Sequence, residues 1–552
     1  MQTQRRTALV AVLLVLAGCC YLLAGSVLPR TTAVLFASPD ETAVHLFAQS
    51  WVPGQGLQIG HQLQDELSSL NVLHPRSMVR QGSVLVPVGF LGMPMLIWIF
   101  ERLATGAGSF FTVLLVLSAA YPLFRLTSRQ RSRIGWMSVA LFLTFPTVLL
   151  YVNRGLFPNL PIVALTIWSV WLLRGIREER RTIVTHYIVP MITGLLIGTA
   201  ILIRPVELLW MFPWFVWGLL AGVKSPIRKW IWTKRFRILI VCVTTIFVCL
   251  FGLYTAIKTY PTFSTPFQMP VIGYQLHDDT LTEVPTLMSV ETQASATFSD
   301  YLPFGFHPRV LWSNMRVYLF GYLGVWIAVA ALGLIVLLRR RFRFKQEGIV
   351  LLIGGWMIAV LLMFYGQAQY TDNIRGTVSL GNSFLRYLLP LTPIIAYLIA
   401  QFVDRVWQMK HRGVLTAMIL LAFFLIYGPL TAFLGDEEGI VQTQHQLRRY
   451  TAIRAQVDKL VPNGSVILSE RSDKIFASGP YAVSSRLPDA NEMLELAFVP
   501  RDVYLFHREL TEEEELYTKI YLTLGAPRLL FQVDNERFYL LQAKEQVRIP
   551  NP

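Results

Sequence analysis

VLVPVGFLGMPMLIWIF, residues 84–100, is the apolar stretch that decides how this chain folds. Its 17 residues are close to the minimum for a helix that crosses a bilayer. Two prolines and two glycines interrupt it, namely Pro87, Pro94, Gly89 and Gly92. If the stretch crossed the membrane, every later loop would change sides. The side on which the basic loops fall therefore tests whether it spans.

The composition is that of a membrane protein with many spans. The chain has 552 residues, of which 54% are hydrophobic and 15% are charged, whereas soluble domains carry about 25% charged residues. Apolar runs long enough to cross a bilayer recur along most of its length. Spans are predicted near residues 8–28, 109–124, 134–151, 156–174, 185–203, 206–222, 238–257, 316–338, 348–365, 384–402 and 414–434.

The basic loops all fall on one side only if residues 84–100 do not cross. These loops are Arg5-Arg6 and the segments 125–133, 174–181, 224–237, 339–345 and 404–412. Because positive loops stay in the cytoplasm, the pattern predicts about eleven spans, a cytoplasmic N-terminus and an extracytoplasmic C-terminus. Residues 84–100 then form a juxtamembrane or re-entrant helix. Irregular backbone at that depth requires cover from protein or a water-filled cavity.

The distribution of charge argues against nucleic-acid binding. The net charge is +15, but residues 435–552 carry 14 Lys/Arg against 18 Asp/Glu, so that the excess lies in the loops between apolar runs. We expect two parts: a transmembrane domain, 1–434, with outer loops 29–108 and 258–315, and a small extracytoplasmic α/β domain, 435–552. In the latter the pattern predicts helices near 440–459 and 512–523, and strands near 465–470, 503–507, 528–533 and 537–542.

The pair Asp40-Glu41 lies in SPDETAV, residues 38–44, shortly after the first apolar run. A proline followed by acids is typical of a helix N-terminus, where the helix dipole favours negative charge. Alternatively, Asp40 is a general base at the boundary between membrane and water. The local pattern leaves both interpretations open.

Four stretches together resemble the GT-C superfamily of membrane glycosyltransferases, in the branch of the protein O-mannosyltransferases and the aminoarabinose transferases of lipid A. They are DETAVHLFAQSWVPGQGL (40–57), GSVLVPVGFLGMP (82–94), GLLIGTAILIRP (194–205) and LRYLLPLTP (385–393). The resemblance covers roughly residues 1–434 and implies an all-α polytopic fold with juxtamembrane helices. It agrees with the non-spanning segment 84–100 that the charge pattern predicts.

The resemblance implies transfer of a sugar from a polyprenyl-phosphate donor to an acceptor on the outer face. Asp40 would be the general base of a single inverting displacement, with Glu41 orienting Asp40 or the acceptor. Cations must hold the leaving phosphate, and arginine grips its oxygens bidentately. The candidates for donor-phosphate binding are Arg204, Arg386, Tyr387, Arg76 and Arg80. The alternative for each arginine is a lipid headgroup partner, and for Tyr387 the aromatic belt.

Several further positions are candidates for the site. In YLPFGFHPR, residues 301–309, His307 and Arg309 would line the substrate cavity or lie in the interface. Glu41 and His45 have the spacing of a metal pair or of a plain i,i+4 contact; no cofactor is assigned, and a divalent cation stays open. Where the family often has a second acid, this chain has Asn159, which puts a second acidic partner in doubt.

The sequence leaves the sugar and the acceptor open; the acceptor is a protein, a lipid or a glycan. Membrane lipids are the other expected partners, and the protein is expected in the cell membrane. Two rival functions remain: a transporter or flippase of lipid-linked saccharides, and a ligase or polymerase of surface polysaccharide. A transporter predicts ionisable residues deep within spans, and the nearest case is Glu207, close to a span end.

Overall fold

The fold is taken from a computed structural model. It describes residues 35–60, 73–81, 83–89, 91–103, 107–128, 131–176, 183–220, 227–260, 305–339, 345–368, 378–409, 412–435, 438–484, 486–508, 510 and 514–542. The predicted first span, 8–28, and most of the outer loop 258–315 lie outside the described residues.

Helices make up most of the described chain. They are α1 (Pro39–Ser50), α2 (Gly92–Leu103), α3 (Phe111–Thr127), α4 (Ser132–Leu143), α5 (Pro146–Asn153), α6 (Asn159–Gly175), α7 (Val189–Ile203), α8 (Leu208–Leu220), α9 (Ile227–Thr259), α10 (Pro308–Asn314), α11 (Gly324–Arg339), α12 (Lys345–Tyr365), α13 (Ser383–Tyr387), α14 (Thr392–Trp407), α15 (Gly413–Leu434), α16 (Ile440–Leu460), α17 (Asp473–Phe476), α18 (Ala490–Ala497) and α19 (Glu515–Leu524). Short 3-10 or π-helical turns join several of them.

In the described part of the chain, eight strands form two sheets. They are β1 (Ile59–Gly60), β2 (Met78–Gln81), β3 (Val84–Pro87), β4 (Val466–Ser469), β5 (Ala482–Val483), β6 (Val503–Arg508), β7 (Arg528–Val533) and β8 (Glu536–Gln542). The chain divides into two compact units. The helical unit comprises Met1–Leu28, Ile99–Leu253 and Met288–Gln444, and the loop–tail unit comprises Pro29–Trp98, Tyr254–Leu287 and His445–Pro552. The predicted division into 1–434 and 435–552 stays a prediction.

The chain is an integral membrane protein with several apolar helices. In its described part, 5 helices are long and apolar enough to cross a membrane, or up to 7 if each of two bent pairs is one span. The five are Val184–Ile203, Lys234–Thr259, Gly348–Tyr365, Leu389–Trp407 and Gly413–Leu434. Each coincides with a predicted span, while the total of eleven stays a prediction.

Two predicted spans are bent rather than straight. Between α4 and α5 the chain turns by 54°, because Phe145 precedes Pro146 and takes an extended backbone. Between the helical stretch Pro308–Tyr322 and α11 the angle is 89°. That stretch ends in a π-helical segment, and Leu323 leaves the helical conformation. A π-helical segment is a recognised site of helix bending, so residues 316–338 are not one straight helix.

The stretch 84–100 is a strand followed by a short helix. Residues 84–87 are strand β3, paired with β1 and β2, whereas the sequence predicted helix there. Helix α2 has 12 residues, which gives a length of about 18 Å against a hydrocarbon core of about 30 Å. Residues 84–100 therefore do not form one spanning helix, as the charge pattern predicted.

The loop–tail unit contains both sheets. In the segment 59–87 the strand order is β1-β3-β2, antiparallel throughout. In the tail the order is β5-β4-β6-β8-β7, in which β4 pairs in parallel with β5 and β6. Alternate residues such as Val466 and Leu468 face a common apolar core that includes Leu73 from the first outer loop. Two distant parts of the sequence thus share one core.

Close helix packing in the helical unit depends on glycine. At Gly333 on α11, a side chain would overlap with the backbone of Leu398 on α14. Small residues allow helices to approach closely where lipid supplies no hydrophobic driving force. The contact holds together two of the long apolar helices of this unit.

Gly333→Ala is expected to destabilise the helical unit, because the added methyl group meets the backbone of α14, which cannot move aside as a flexible side chain can. Overpacking of this kind costs about 1–3 kcal/mol. The measurement is the thermal unfolding midpoint of the purified protein in detergent. The matched control is Gly355→Ala on α12, where a Cβ meets nothing within 4 Å. Equal midpoints for the two variants would contradict the packing argument.

Candidate functional site

Asp40 and Glu41 lie in the first turn of α1, as the sequence predicted. Ser38 is the N-cap, and its Oγ accepts a hydrogen bond of 3.3 Å from the backbone N–H of Asp40. Pro39 occupies the first helical turn, where proline needs no backbone donor. Glu41 is buried, whereas Asp40 is partly exposed. The acid that remains accessible is therefore Asp40.

Ser77 holds the side chain of Asp40. Its hydroxyl donates a hydrogen bond of 2.6 Å to Oδ1 of Asp40. Ser77 itself has a φ of 64°, in the left-handed region that non-glycine residues seldom adopt. Such a conformation persists only where the surroundings enforce it, and it is frequent at functional sites. The sequence analysis did not identify Ser77, because nothing in its local pattern signals contact with residue 40.

Arg76 and Arg80, predicted to bind phosphate, are both in the loop–tail unit. The guanidinium of Arg76 lies 2.7 Å from the carboxylate of Asp473, which has no solvent exposure. Arg80 is buried on strand β2, opposite Leu85. Arg76 is thus engaged in an ion pair with the tail. A phosphate-binding role for either residue stays a prediction.

Arg204 anchors a second polar group, in the helical unit. It is the C-cap of α7, and the following Pro205 keeps its backbone extended. Its Nη1 lies 3.1 Å from Oε1 of Glu207, and its Nη2 donates to the hydroxyl of Tyr365 at 3.1 Å. The hydroxyl of Tyr365 in turn donates to Oε1 of Glu207 at 3.0 Å. These three buried side chains hold one another in place.

Aromatic rings connect Arg204 to Arg386 and Arg154. Tyr365 and Tyr387 stack with ring centroids 4.2 Å apart. Arg204 lies 4.9 Å and Arg386 5.2 Å from the centroid of Tyr387. Across Phe157, Arg386 and Arg154 lie at 4.5 Å and 4.8 Å from the ring. We call this group the arginine–aromatic cluster; its members are Arg154, Phe157, Arg204, Glu207, Tyr365, Arg386 and Tyr387.

The chemistry of the cluster suits an anion. Three guanidinium groups and one carboxylate give its charged members a net charge of +2. Arginine stays protonated and offers several N–H donors in a planar fork that matches phosphate oxygens. Stacked aromatic rings hold guanidinium groups in place by cation–π attraction. The cluster therefore concentrates positive charge and N–H donors in one part of the helical unit, and phosphate binding there stays a prediction.

A large cavity, lined mostly by apolar side chains, lies in the helical unit. Its volume is about 1700 Å³, above the usual range of about 300–1,000 Å³ for drug-sized ligands. Its walls are mostly leucine, isoleucine, valine and tryptophan side chains. Trp210 lines it and also donates a hydrogen bond from its indole to Glu207. Four arginines also line it, namely Arg131, Arg174, Arg339 and Arg405, so that its wall combines a large apolar surface with positive charge.

The remaining predicted positions lie elsewhere. His307 and Arg309 are exposed, at the start of α10. The ring of His45 packs on Phe36 with centroids 5.1 Å apart. Asn159, the departure from the family pattern, is buried at the start of α6. Among the residues that the structure describes, no group of three His, Cys, Asp or Glu side chains could hold a metal ion.

The structure brings together Arg204, Arg386 and Tyr387 in the helical unit, and Asp40, Glu41 and Arg76 in the loop–tail unit. Sequence analysis missed Arg154, Phe157 and Tyr365. Both Arg154 and Phe157 lie in the stretch YVNRGLFPNLP, residues 151–161, in which Asn159 stands where the family often has an acid. A basic residue between a helix end and a proline was the available signal.

No protein-family model matches this sequence, and no curated protein matches it either. Solved structures do match. The apo crystal structure of ArnT, an aminoarabinose transferase from Cupriavidus metallidurans, is similar with a TM-score of 0.58 at 10% identity, covering 98% of this chain and 99% of ArnT. ArnT bound to undecaprenyl phosphate gives the same TM-score and identity, covering 97% of this chain and 98% of ArnT.

The oligosaccharyltransferase of Archaeoglobus fulgidus, solved in complex with Zn and sulfate, is also similar. The TM-score is 0.50 at 16% identity, and the match covers 98% of this chain and 74% of that chain. At such low identities these similarities establish the fold. The GT-C-like membrane fold predicted from the four sequence stretches is thereby confirmed, whereas the count of eleven spans and the separate C-terminal α/β domain stay predictions.

Glu207→Gln is expected to lower the thermal unfolding midpoint. The amide keeps the shape of the side chain but leaves the buried charge of Arg204 without its carboxylate, and breaking a buried ion pair costs about 3–5 kcal/mol. The measurement is unfolding in detergent, followed by tryptophan fluorescence. Glu515→Gln, which removes a surface ion pair with Lys519, is the matched control and should leave the midpoint unchanged. An unchanged midpoint in Glu207→Gln would contradict the assigned network.

Proposed function

Starting from the GT-C fold that this chain shares with ArnT, we propose that the protein is a membrane glycosyltransferase. It transfers a sugar from a polyprenyl-phosphate donor to an acceptor on the outer face of the membrane. The observation that carries the proposal is the arginine–aromatic cluster, which contacts through Glu207 a tryptophan, Trp210, in the wall of the large cavity. An anionic head and a long hydrocarbon tail are the two features of such a donor, and the helical unit offers a matching environment for each.

In this proposal Arg204, Arg386 and Tyr387 bind the donor phosphate. Hydrogen bonds from arginine to phosphate oxygens strengthen as negative charge develops on the leaving group. The phosphate is a good leaving group once its charge is neutralised, so that no proton donor is needed there. Glu207 and Tyr365 keep Arg204 in the orientation that the reaction requires.

Asp40 acts as the general base. Its carboxylate takes the proton from the acceptor hydroxyl or amine, whose lone pair attacks the anomeric carbon. The bond between that carbon and the phosphate oxygen breaks, and the electron pair leaves with the polyprenyl phosphate. One displacement inverts the configuration of the sugar. Glu41 supports Asp40 from the buried side of α1, and roles for His307 and Arg309 in the substrate cavity remain part of the proposal.

The proposed topology follows from the charge of the loops. Eleven spans place the N-terminus in the cytoplasm and residues 435–552 outside as a small α/β domain. Asp40 then lies on the outer side, after the first span. A cysteine-accessibility measurement on residues before and after each predicted span tests this arrangement.

Asp40→Asn is expected to reduce sugar transfer by at least about 100-fold, because the amide cannot accept the acceptor's proton. The assay uses purified protein in lipid nanodiscs, polyprenyl-phosphate-linked hexoses and pentoses, and a panel of protein, lipid and glycan acceptors. Asp489→Asn is the matched control, since Asp489 also lies at a helix N-terminus and asparagine retains the cap. Undiminished transfer by folded Asp40→Asn would exclude the base assignment. Saccharide flipping in liposomes without transfer by wild type would favour the transporter.

Ile394→Trp tests whether the donor's hydrocarbon chain occupies the cavity. Ile394 lines the cavity, so a larger side chain there takes up part of its volume. If two CH₂ groups of the donor's hydrocarbon chain lose their contacts, binding weakens by about 1.6 kcal/mol, or a little over tenfold. We expect KM to rise about tenfold for a long-chain donor and to stay unchanged for a short-chain analogue. Leu352→Trp, at an exposed position on α12, is the control. An equal change in KM for both donors would show that the donor's hydrocarbon chain lies outside the cavity.

A further inference from the structure

Two successive residues of the tail hold two segments of the chain: the one that precedes Asp40 and the one whose Ser77 contacts it. Asp473 and Lys474 begin the short helix α17. Asp473 contacts Arg76, which precedes Ser77, and Lys474 contacts Ala37, which precedes the N-cap Ser38. All of these residues belong to the loop–tail unit. The two segments that orient Asp40 are therefore tied to one dipeptide more than 390 residues further along the chain.

Asp473 binds Arg76 through three donors. Its Oδ2 accepts from the backbone N–H of Arg76 at 2.8 Å, and its Oδ1 accepts from Nε at 2.8 Å. The Nη2 of Arg76 lies 2.7 Å from the same Oδ1 and donates to the carbonyl of Arg471 at 2.5 Å. Asp473 is fully buried, so it has exchanged its water for these contacts. A backbone contact of this kind fixes the main chain at residue 76, not only the side chain.

The fixed main chain at Arg76 explains how Ser77 keeps its unusual conformation. A non-glycine residue with a φ of 64° costs about 1–3 kcal/mol and persists only where its neighbours impose it. On the N-terminal side of Ser77, the backbone N–H of Arg76 donates its hydrogen bond to Asp473. On the other, the carbonyl of Ser77 accepts a hydrogen bond of 3.2 Å from the backbone N–H of Val88. Held in this way, its hydroxyl reaches Oδ1 of Asp40.

Lys474 fixes the segment that precedes Asp40. Its Nζ donates a hydrogen bond of 2.6 Å to the carbonyl of Ala37. The ammonium also lies 5.3 Å from the centroid of the Tyr450 ring. Burial raises the pKa of Tyr450 above its ordinary value, so the phenol is neutral and binds Lys474 through its ring face. The start of α1, and with it the backbone of Asp40, is thereby attached to the tail.

From this geometry we infer that Asp473 and Lys474 are positioning residues for Asp40. The inference rests on the proposed function of Asp40 as general base. It gives the tail a defined part in catalysis: it sets the direction of the base rather than contacting the donor. Misplacement of a reacting group by about 1 Å costs about 100-fold in rate. Loss of either contact should therefore reduce kcat while binding of the donor is unaffected.

The test compares Asp473→Asn, Lys474→Met and Lys474→Arg with wild type in the transfer assay. We expect kcat to fall about 10- to 100-fold in the first two variants, with the donor KM within twofold of wild type. Lys474→Arg retains a cation that can donate to the Ala37 carbonyl, and we expect it to restore most of the activity. Lys474 is only partly buried, so Lys474→Met provides a second variant if Asp473→Asn does not fold.

The matched control is Arg486→Ala, which removes a bidentate ion pair with Glu492 elsewhere in the tail. It should keep wild-type kcat. A wild-type kcat in folded Asp473→Asn and Lys474→Met, or an equal loss in Arg486→Ala, would overturn the inference. Asp40→Asn, measured alongside, distinguishes failure of the proposed base from failure of the positioning role. If Asp40→Asn is active, the base assignment is wrong. If Asp40→Asn is inactive while the Asp473 and Lys474 variants keep wild-type kcat, the positioning role is wrong.

Discussion

Helices end at or next to the arginines of the arginine–aromatic cluster, and the chemistry of the helical unit depends on this constraint. Arg204 immediately precedes Pro205 at the end of α7. Arg154 caps α5, and Pro158 stands before α6. Arg386 lies in α13, four residues before Pro390. Proline removes a backbone donor and disfavours helical backbone in the residue before it. Each break leaves a polar side chain that the neighbouring helices must accommodate.

The free-energy cost of burying these arginines explains which side chains surround them. A buried cation needs a carboxylate, hydroxyls or aromatic faces to replace its water. Arg204 has Glu207, Tyr365 and the ring of Tyr387. Hydrophobic side chains of the same size would give a fold at least as stable, since buried ion pairs seldom increase the free energy of unfolding. These polar and aromatic contacts replace the water that the buried guanidinium groups have lost.

In the loop–tail unit, contacts between distant parts of the chain serve a different purpose. Leu73 completes the apolar core of the tail, and Asp473 holds the main chain at Arg76. The segment around residues 73–76 is thus packed against the tail as well as joined to its own short strands. A side chain at a helix N-terminus is held as precisely as the segments that contact it. The tail makes those segments part of a packed structure.

The sequence by itself determined the class of fold, most helix positions and the location of the acid pair. These follow from local rules: apolar length, the charge of loops, and the effect of proline and acids on helix ends. The apolar segment 84–100 shows the limit, because its strand β3 forms only by pairing with β1 and β2. The bends at residues 145 and 323 likewise required the structure, although Pro146 signals the first.

Only the tertiary structure decided which side chains meet. Arg204 contacts Tyr365 across 161 residues, and Arg76 contacts Asp473 across 397. Such pairs leave no trace in the local pattern, because each partner satisfies its own helix or turn rules independently of the other. Asp40 was found from its neighbours in sequence, whereas Ser77, Asp473 and Lys474 become visible only when the chain folds and its distant segments share one core.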